Sequence, residues 1–396
     1  MMEERYTTLR SQLMERLDSS REFTDTEILE TIDELVLASS HENYLPLEQK
    51  HELRQELFYS VRRLDILQEL IEDTTVTEIM VNGPEHIFLE QNGHIRRWEK
   101  RFASREKLED VIQQIVGKCN RVVNERTPIV DARLSNGDRV NVVISPVALD
   151  GPILTIRRFP KHPITMDSLI QRGSITKEAA DFLKMLVQAR YSMIIGGGTS
   201  AGKTTFLNAL SNYIPRQERI ITIEDNAELQ IQGIDNLVRL EAKMANMEGN
   251  VSISIRDLIK SALRMRPDRI VVGEVRSSEC IDMLQALNTG HSGSLSTAHA
   301  NSSADMVSRL ETMVLMGMNL PLEAIRRQIA SGVDILVHLG QMADRSRKVL
   351  EIMEIDGMEG QEVRLRPLFL WEEEKGLIKK QTLRHTKKLE RAGICV

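Results

Sequence analysis

Apolar residues recur at helical spacing through residues 1–72. Ile28, Leu29, Ile32, Leu35 and Val36 follow Thr24 and Asp25, a pair suited to capping a helix start. After Pro46, the series Leu53, Leu57, Val61, Leu64, Leu67 and Leu70 predicts a second amphipathic helix. Residues 1–72 are therefore expected as an N-terminal helical region, either packing internally or meeting a neighbouring protein. From residue 75 the period shortens. Asn-Gly dipeptides at 82–83, 92–93 and 136–137 separate short strand-like runs: 78–81, 86–90 and 94–98 first, then 132–134 and 140–144. This is the pattern of tight hairpins. Between the two sets, Leu108, Val111, Ile112, Ile115, Val116, Cys119, Val122 and Val123 mark one face of a helix. Residues 73–156, ending in a strand at 153–156, are expected as an α+β module. Residues 157–175, which open Arg157-Arg158-Phe159-Pro160, are expected as a linker.

From 176 to 340 strand and helix patterns alternate, the sign of a parallel sheet wrapped by helices. Short apolar runs at 193–195, 220–223, 270–272 and 335–337 predict buried strands. Residues 341–396 hold further strand-like segments and a basic tail (Lys375, Lys379, Lys380, Arg384, Lys387, Lys388, Arg391). A solvated helical face explains that tail, and contact with anionic lipid headgroups is the alternative.

Composition narrows the class. A chain of 396 residues exceeds one ordinary core, and its 41% apolar content suits a soluble protein of several domains. A net charge of −6 and 4% aromatics disfavour binding to nucleic acid. Cys119, Cys280 and Cys395 are too scattered for a zinc knuckle or a disulfide framework. No run approaches the roughly 20 apolar residues of a membrane span and no signal peptide is recognisable, so a cytoplasmic protein is expected.

The chemistry centres on Gly197, Gly198, Thr199, Ser200, Ala201, Gly202, Lys203, Thr204 and Thr205, where Gly197–Thr204 fits G-x-x-x-x-G-K-[ST]. The glycines let the backbone curl so that successive N–H groups face a phosphate. Lys203 then reaches the β/γ-phosphates, the Thr204 hydroxyl suits Mg²⁺, and the following helix aims its positive end at the same anion. In parallel sheets ligands sit at the strands' carboxyl ends. Glu224-Asp225, with Glu228, follow one apolar run there, and Glu274 follows another. Such carboxylates suit Mg²⁺ or an attacking water. His291 and His299 lie in a small-residue segment that glycine turns alone would also explain, and their spacing lacks a third metal ligand. Arg157, Arg158, Arg239, Arg264, Arg266 and Arg276 are candidate charge stabilisers, or surface and salt-bridge residues.

These motifs in series resemble the type II/type IV secretion ATPases, and most nearly the CpaF/TadA branch that drives tight-adherence (Flp-type) pilus assembly. Residues 78–84, 128–134, 154–159, 309–314 and 357–360 resemble that branch too. The resemblance implies an α/β fold: a RecA-like P-loop core of mostly parallel sheet (176–340), preceded by a PAS-like α+β module and the helical region. It implies a homohexamer that binds ATP with Mg²⁺, hydrolyses it to ADP, and acts on an inner-membrane platform protein from the cytoplasmic face. Glu274 takes the place of the Walker B glutamate that polarises water. Glu224, Asp225 and Glu228 stand in the aspartate box, and His291 and His299 in the histidine box. Arg264 and Arg239 resemble arginines acting in trans, while Arg157 and Arg158 fall where the N-terminal module approaches nucleotide. Asn226, Ser277-Ser278 and Ser292 depart from the family pattern without removing a required charge. A retraction or type IV secretion traffic ATPase, a nucleotide-gated scaffold and a nucleic-acid translocase are the rival readings.

Overall fold

The computed structural model describes residues 2–17, 23–42, 44–91, 93–134, 136–159, 163–243 and 252–394. Asn92, Cys395, and Pro160 and His162 of the expected linker lie outside them. The chain divides into two compact units, Met1–Lys161 and His162–Val396.

The first unit opens with α1 (Met2–Arg16), α2 (Asp25–Glu42) and α3 (Leu47–Arg62) around a small core of Leu9, Leu13, Ile28, Ile32, Leu35, Leu53 and Leu57. Thr24 caps α2 reciprocally with Glu27: the Thr24 N–H donates to Glu27 Oε2 at 2.7 Å, and the Glu27 N–H donates to Thr24 Oγ1 at 3.3 Å. The second helix expected from the leucine series is in fact two, α3 and α4 (Leu67–Glu72). Between them Asp65 takes a left-handed φ of 52°, a conformation Asp tolerates better than most residues. The break serves two cores. Leu53 and Leu57 face the helical bundle, whereas Leu64, Leu67 and Leu70 join the next layer.

That layer is a six-stranded antiparallel sheet of order β3-β2-β1-β6-β5-β4. Its strands are β1 (Val76–Asn82), β2 (Ile87–Gln91), β3 (His94–Arg97), β4 (Ile129–Arg133), β5 (Arg139–Val143) and β6 (Ile153–Arg157). Helix α5 (Arg105–Lys118), N-capped by Ser104, covers one face with Leu108, Val111, Ile112, Ile115 and Val116. All three Asn-Gly sites fall at reversals between paired strands, with Gly83, Gly93 and Gly137 at positive φ.

The second unit holds α6 (Met166–Gln171), inside the stretch expected as linker, then α7 (Lys177–Gln188), β7 (Met193–Gly197), α8 (Lys203–Ser211), β8 (Ile220–Glu224) and β9 (Leu237–Glu241). It continues with α9 (Ile255–Ala262), β10 (Arg269–Val275), α10 (Glu279–Asn288), β11 (Leu295–His299), α11 (Ser303–Gly317), α12 (Leu322–Gly332) and β12 (Ile335–Gln341). It ends in β13 (Arg347–Glu359), β14 (Glu362–Glu372), β15 (Gly376–Lys379) and α13 (Lys387–Arg391). The sheet order is β15-β14-β13-β12-β7-β11-β10-β8-β9. From β12 to β9 every neighbour is parallel, while β13–β15 add an antiparallel meander. Apolar cores cover both faces, so the short central strands read as unbroken apolar runs.

The basic tail is bound to this sheet through buried acids. Arg384 donates from its amide to Glu354 Oε2 (2.9 Å) and from Nη1 to Asp356 Oδ2 (2.8 Å), while Lys388 meets Asp334 at 2.5 Å. Glu354 and Asp356 are buried, whereas Arg384 itself stays largely exposed and closes over them from the surface. Lys375, Lys379, Lys387 and Arg391 remain exposed, in keeping with a solvated face, while Arg384 and Lys388 are drawn onto the sheet.

Candidate functional site

The parallel strands end along one edge, and the loops leaving that edge form the site. The β7 strand delivers the chain into the glycine-rich loop, where Ser200 (φ 62°) and Gly202 (φ 90°) are left-handed. Gly202 is the N-cap of α8 and no side chain caps that helix. Its first N–H groups are thus presented to an anion. Gly197 is required by closeness, since a Cβ there would stand 2.7 Å from the Leu339 carbonyl oxygen on β12. Gly198, Thr199 and Ser200 are exposed and Ala201 is buried, while Thr204 and Thr205 are half-buried on the first turn of α8.

Lys203 is buried and reaches Gly198 O (3.2 Å), His299 Nδ1 (3.2 Å) and Glu274 Oε1 (3.5 Å). Burial pulls its pKa down, partly countered by Glu274. His299, at the carboxyl end of β11 and in register with Gly197, places Nε2 at 3.0 Å from Glu274 Oε1. Burial also lowers its pKa. One neutral tautomer, assigned from these partners, suits both contacts: Nδ1 accepts from the Lys203 ammonium and the Nε2 proton faces Glu274. Arg276 grips the other oxygen of Glu274 at 2.5 Å and lies 3.6 Å from Asp225.

Glu224 ends β8, and its Oε1 accepts the amides of Glu228 and Leu229, both at 2.9 Å. Its Oε2 is buried with no hydrogen-bond partner among the described residues. Burial raises this carboxyl to about 7, against the lowering effect of the two amides and of Arg239. Gly273 makes the room, because a Cβ there would stand 2.9 Å from Glu224 Cγ.

Other expected residues lie elsewhere. The two histidines stand at opposite ends of β11, His291 before it and His299 as its last residue. His291 precedes β11 at the opposite edge of the sheet, its Nδ1 3.3 Å from Ala286 O, so only His299 reaches the loop. Arg239, on β9, donates to Leu229 O (3.1 Å) and braces the segment that hydrogen-bonds Glu224 in the same chain. Arg264 is exposed in the turn before β10, also at the far edge. Arg157 ends β6 in the first unit and is exposed. Arg158 is consumed within that unit, donating from Nη1 to Leu70 O (3.0 Å) and Asp73 O (2.9 Å) beside Asp138 (3.3 Å). A structural role accounts for those bonds in full.

Sequence reasoning missed Arg347. Its Cδ would lie 3.3 Å from a Cβ on Gly202, so its side chain stands over the start of α8. No local pattern announces this. It follows from β12 lying beside β7, which carries the β12–β13 hairpin to the phosphate loop. Among the described residues no helix is long and apolar enough to cross a membrane.

A family profile described as "Type II/IV secretion system protein" matches residues 61–378. A putative conjugal transfer protein of Mycobacterium tuberculosis is 35% identical over 320 residues, covering 79% of this chain and 89% of its own. The type IV secretion system protein PtlH of Bordetella pertussis is 32% identical over 321 residues, covering 74% and 95%. In fold, the crystal structure of the pilus retraction motor PilT with bound ADP matches at a TM-score of 0.53 and 19% identity, over 83% of this chain and 86% of that one. The likeness agrees with the α/β, RecA-like core expected from the sequence.

Proposed function

Because the chain belongs to the type II/IV secretion system protein family, we propose that it is an ATP-hydrolysing motor of a secretion or pilus-assembly machine. In this reading the amides of residues 197–202 and the start of α8 cradle the triphosphate, Lys203 binds β- and γ-oxygens, and Arg347 flanks the nucleotide. Water oriented by Glu274 attacks the γ-phosphorus; the bond to the β-phosphate oxygen breaks, and ADP and phosphate leave. His299 holds Glu274 and Lys203 in a common geometry. Thr204, Glu224, Asp225 and Glu274 would offer Mg²⁺ hard oxygen donors, the unpartnered Oε2 of Glu224 among them. Among the described residues no cluster of three or more acidic, histidine or cysteine side chains is gathered as a metal site, which suits an ion that keeps several waters and leans on substrate phosphates. When bound, that ion would neutralise charge on the phosphates. The gathering of Lys203, His299 and Glu274 within 3.5 Å beside the glycine loop carries this reading. Steady-state phosphate release tests it: Lys203→Ala is expected to abolish turnover, and full activity in that variant would refute it.

The finer reading is a homohexamer at the cytoplasmic face of the inner membrane that drives tight-adherence pilus assembly through a platform protein. It rests on the sequence resemblance and on the motor fold. Arg264, exposed and far from its own loop, is then the better trans-acting candidate, and Arg239 acts within its own chain. A second reading, secretion traffic, draws on the names of the conjugal-transfer and PtlH relatives. Mass photometry with and without nucleotide tests the ring. Crosslinking in cells to a pilin-assembly platform, or to a secretion channel instead, separates the two machines.

A further inference from the structure

The turn after His299 is held from an unexpected direction. Three residues separate the end of β11 from α11, a helix that packs on β11 and β12. On that face, strand register aligns Ala298 (β11), Gly196 (β7), His338 (β12) and Glu351 (β13) in one row. Met306 of α11 fills the space above Gly196, where a Cβ would meet its Cε at 2.0 Å. At the end of the row the Glu351 carboxylate, Oε2, accepts the Ser303 N–H at 2.9 Å. Ser303 is the first residue of α11 and is buried, so this N–H is one of the donors a helix leaves unpaired and water cannot reach it readily. A carboxylate there also complements the positive end of the helix. Asp305 ties the same turn backward, its Oδ2 accepting the Asn301 N–H at 2.8 Å.

We propose that Glu351 is a positioning residue for His299: by anchoring the first turn of α11 it fixes the chain that leaves β11, and so the imidazole between Lys203 and Glu274. This rests on the proposed role of that trio. Glu351 touches none of them; it acts through the backbone of residues 300–303. Removing its carboxylate leaves a buried N–H without an acceptor and lets the turn shift. Misplacements of about 1 Å at such sites change rates on the order of 10- to 100-fold.

The test is a double-mutant cycle in steady-state ATP hydrolysis by the full chain. Glu351→Ala is expected to lower kcat by roughly tenfold or more with KM little changed. Glu351→Gln, which keeps an acceptor oxygen, should stay within about threefold of wild type. On a His299→Ala background, Glu351→Ala should add nothing. An equal loss on both backgrounds, a change confined to KM, or an unaffected kcat would overturn the proposal. Should Glu351→Ala not fold, Glu351→Asp, whose shorter carboxylate draws back from Ser303, replaces it in the cycle. Lys203→Ala in the same series reads the motor assignment separately, since its turnover bears on hydrolysis and not on Glu351.

Discussion

Glu224 shows most directly how a single residue pays for its place in the site. Its carboxyl titrates at about 7 in the fold, against an ordinary 4.5, because burial disfavours the charged form. Between those values the folded chain holds a proton that the unfolded chain has released. Stability therefore falls as pH rises from about 4.5 to about 7, by about 3 kcal/mol in all. Glu224→Gln keeps an oxygen for the Glu228 and Leu229 amides and removes the charge. Without nucleotide or magnesium it is expected to melt above wild type at pH 8, the gap closing towards pH 5, while hydrolysis falls. Thermal melts across that range check the sign. Residue by residue, legibility followed chemistry with a fixed spacing. Lys203, Glu274 and Glu224 were readable because a glycine loop and strand ends dictate their places. His291 and His299 looked like one pair because they are close in sequence, yet His291 precedes the five-residue strand β11 and His299 ends it, which puts them at opposite edges. Arg158 read as a nucleotide contact because a charge in a chain pattern says nothing of the carbonyls that occupy it.

Among the elements, close approach matters as much as apolar periodicity. Gly317, at the end of α11, lies against the loop that follows Glu274: a Cβ there would stand 2.8 Å from Ser278 O and 2.9 Å from Ser278 Cβ. The obstacle includes backbone, which yields less readily than a side-chain tip. Gly317→Ala is expected to destabilise the protein by about 1–3 kcal/mol, measured by urea unfolding, and to slow hydrolysis through the 276–278 loop. The split of α3 from α4 was invisible in the leucine series for a related reason. Helical spacing continues across residues 63–66, but the two halves serve different cores, and only packing reveals that. The hairpins, in contrast, were legible because Asn-Gly supplies positive φ locally.

Over the whole molecule, the terminal segment illustrates what composition alone conceals. Its cations read as a solvated or lipid-seeking face, and most are exposed, yet Arg384 and Lys388 also close on Glu354, Asp356 and Asp334, the first two deeply buried. The acids lie on β13 and just before β12, far earlier in the chain, so no window of sequence contains both partners. Ending the chain after Thr382 removes Arg384 and Lys388 from these carboxylates and leaves Arg364 beside Asp356 and Arg366 beside Glu354. Loss of roughly 3–5 kcal/mol is expected, seen as a lower melting temperature, with co-sedimentation on anionic vesicles unchanged. The order of strands was likewise beyond the sequence. Alternation predicted a parallel sheet, but only the observed order places β12 beside β7, which brings Arg347 over the phosphate loop and Glu351 to the first turn of α11.

The central claim is that Glu274 readies water for attack on a triphosphate held by the loop at 197–204. Phosphate release and ATP binding by Glu274→Gln, measured on one preparation with magnesium, address it most directly. The account predicts ATP affinity near that of wild type with turnover slowed by roughly 10²–10⁴. Turnover at the wild-type rate would contradict it.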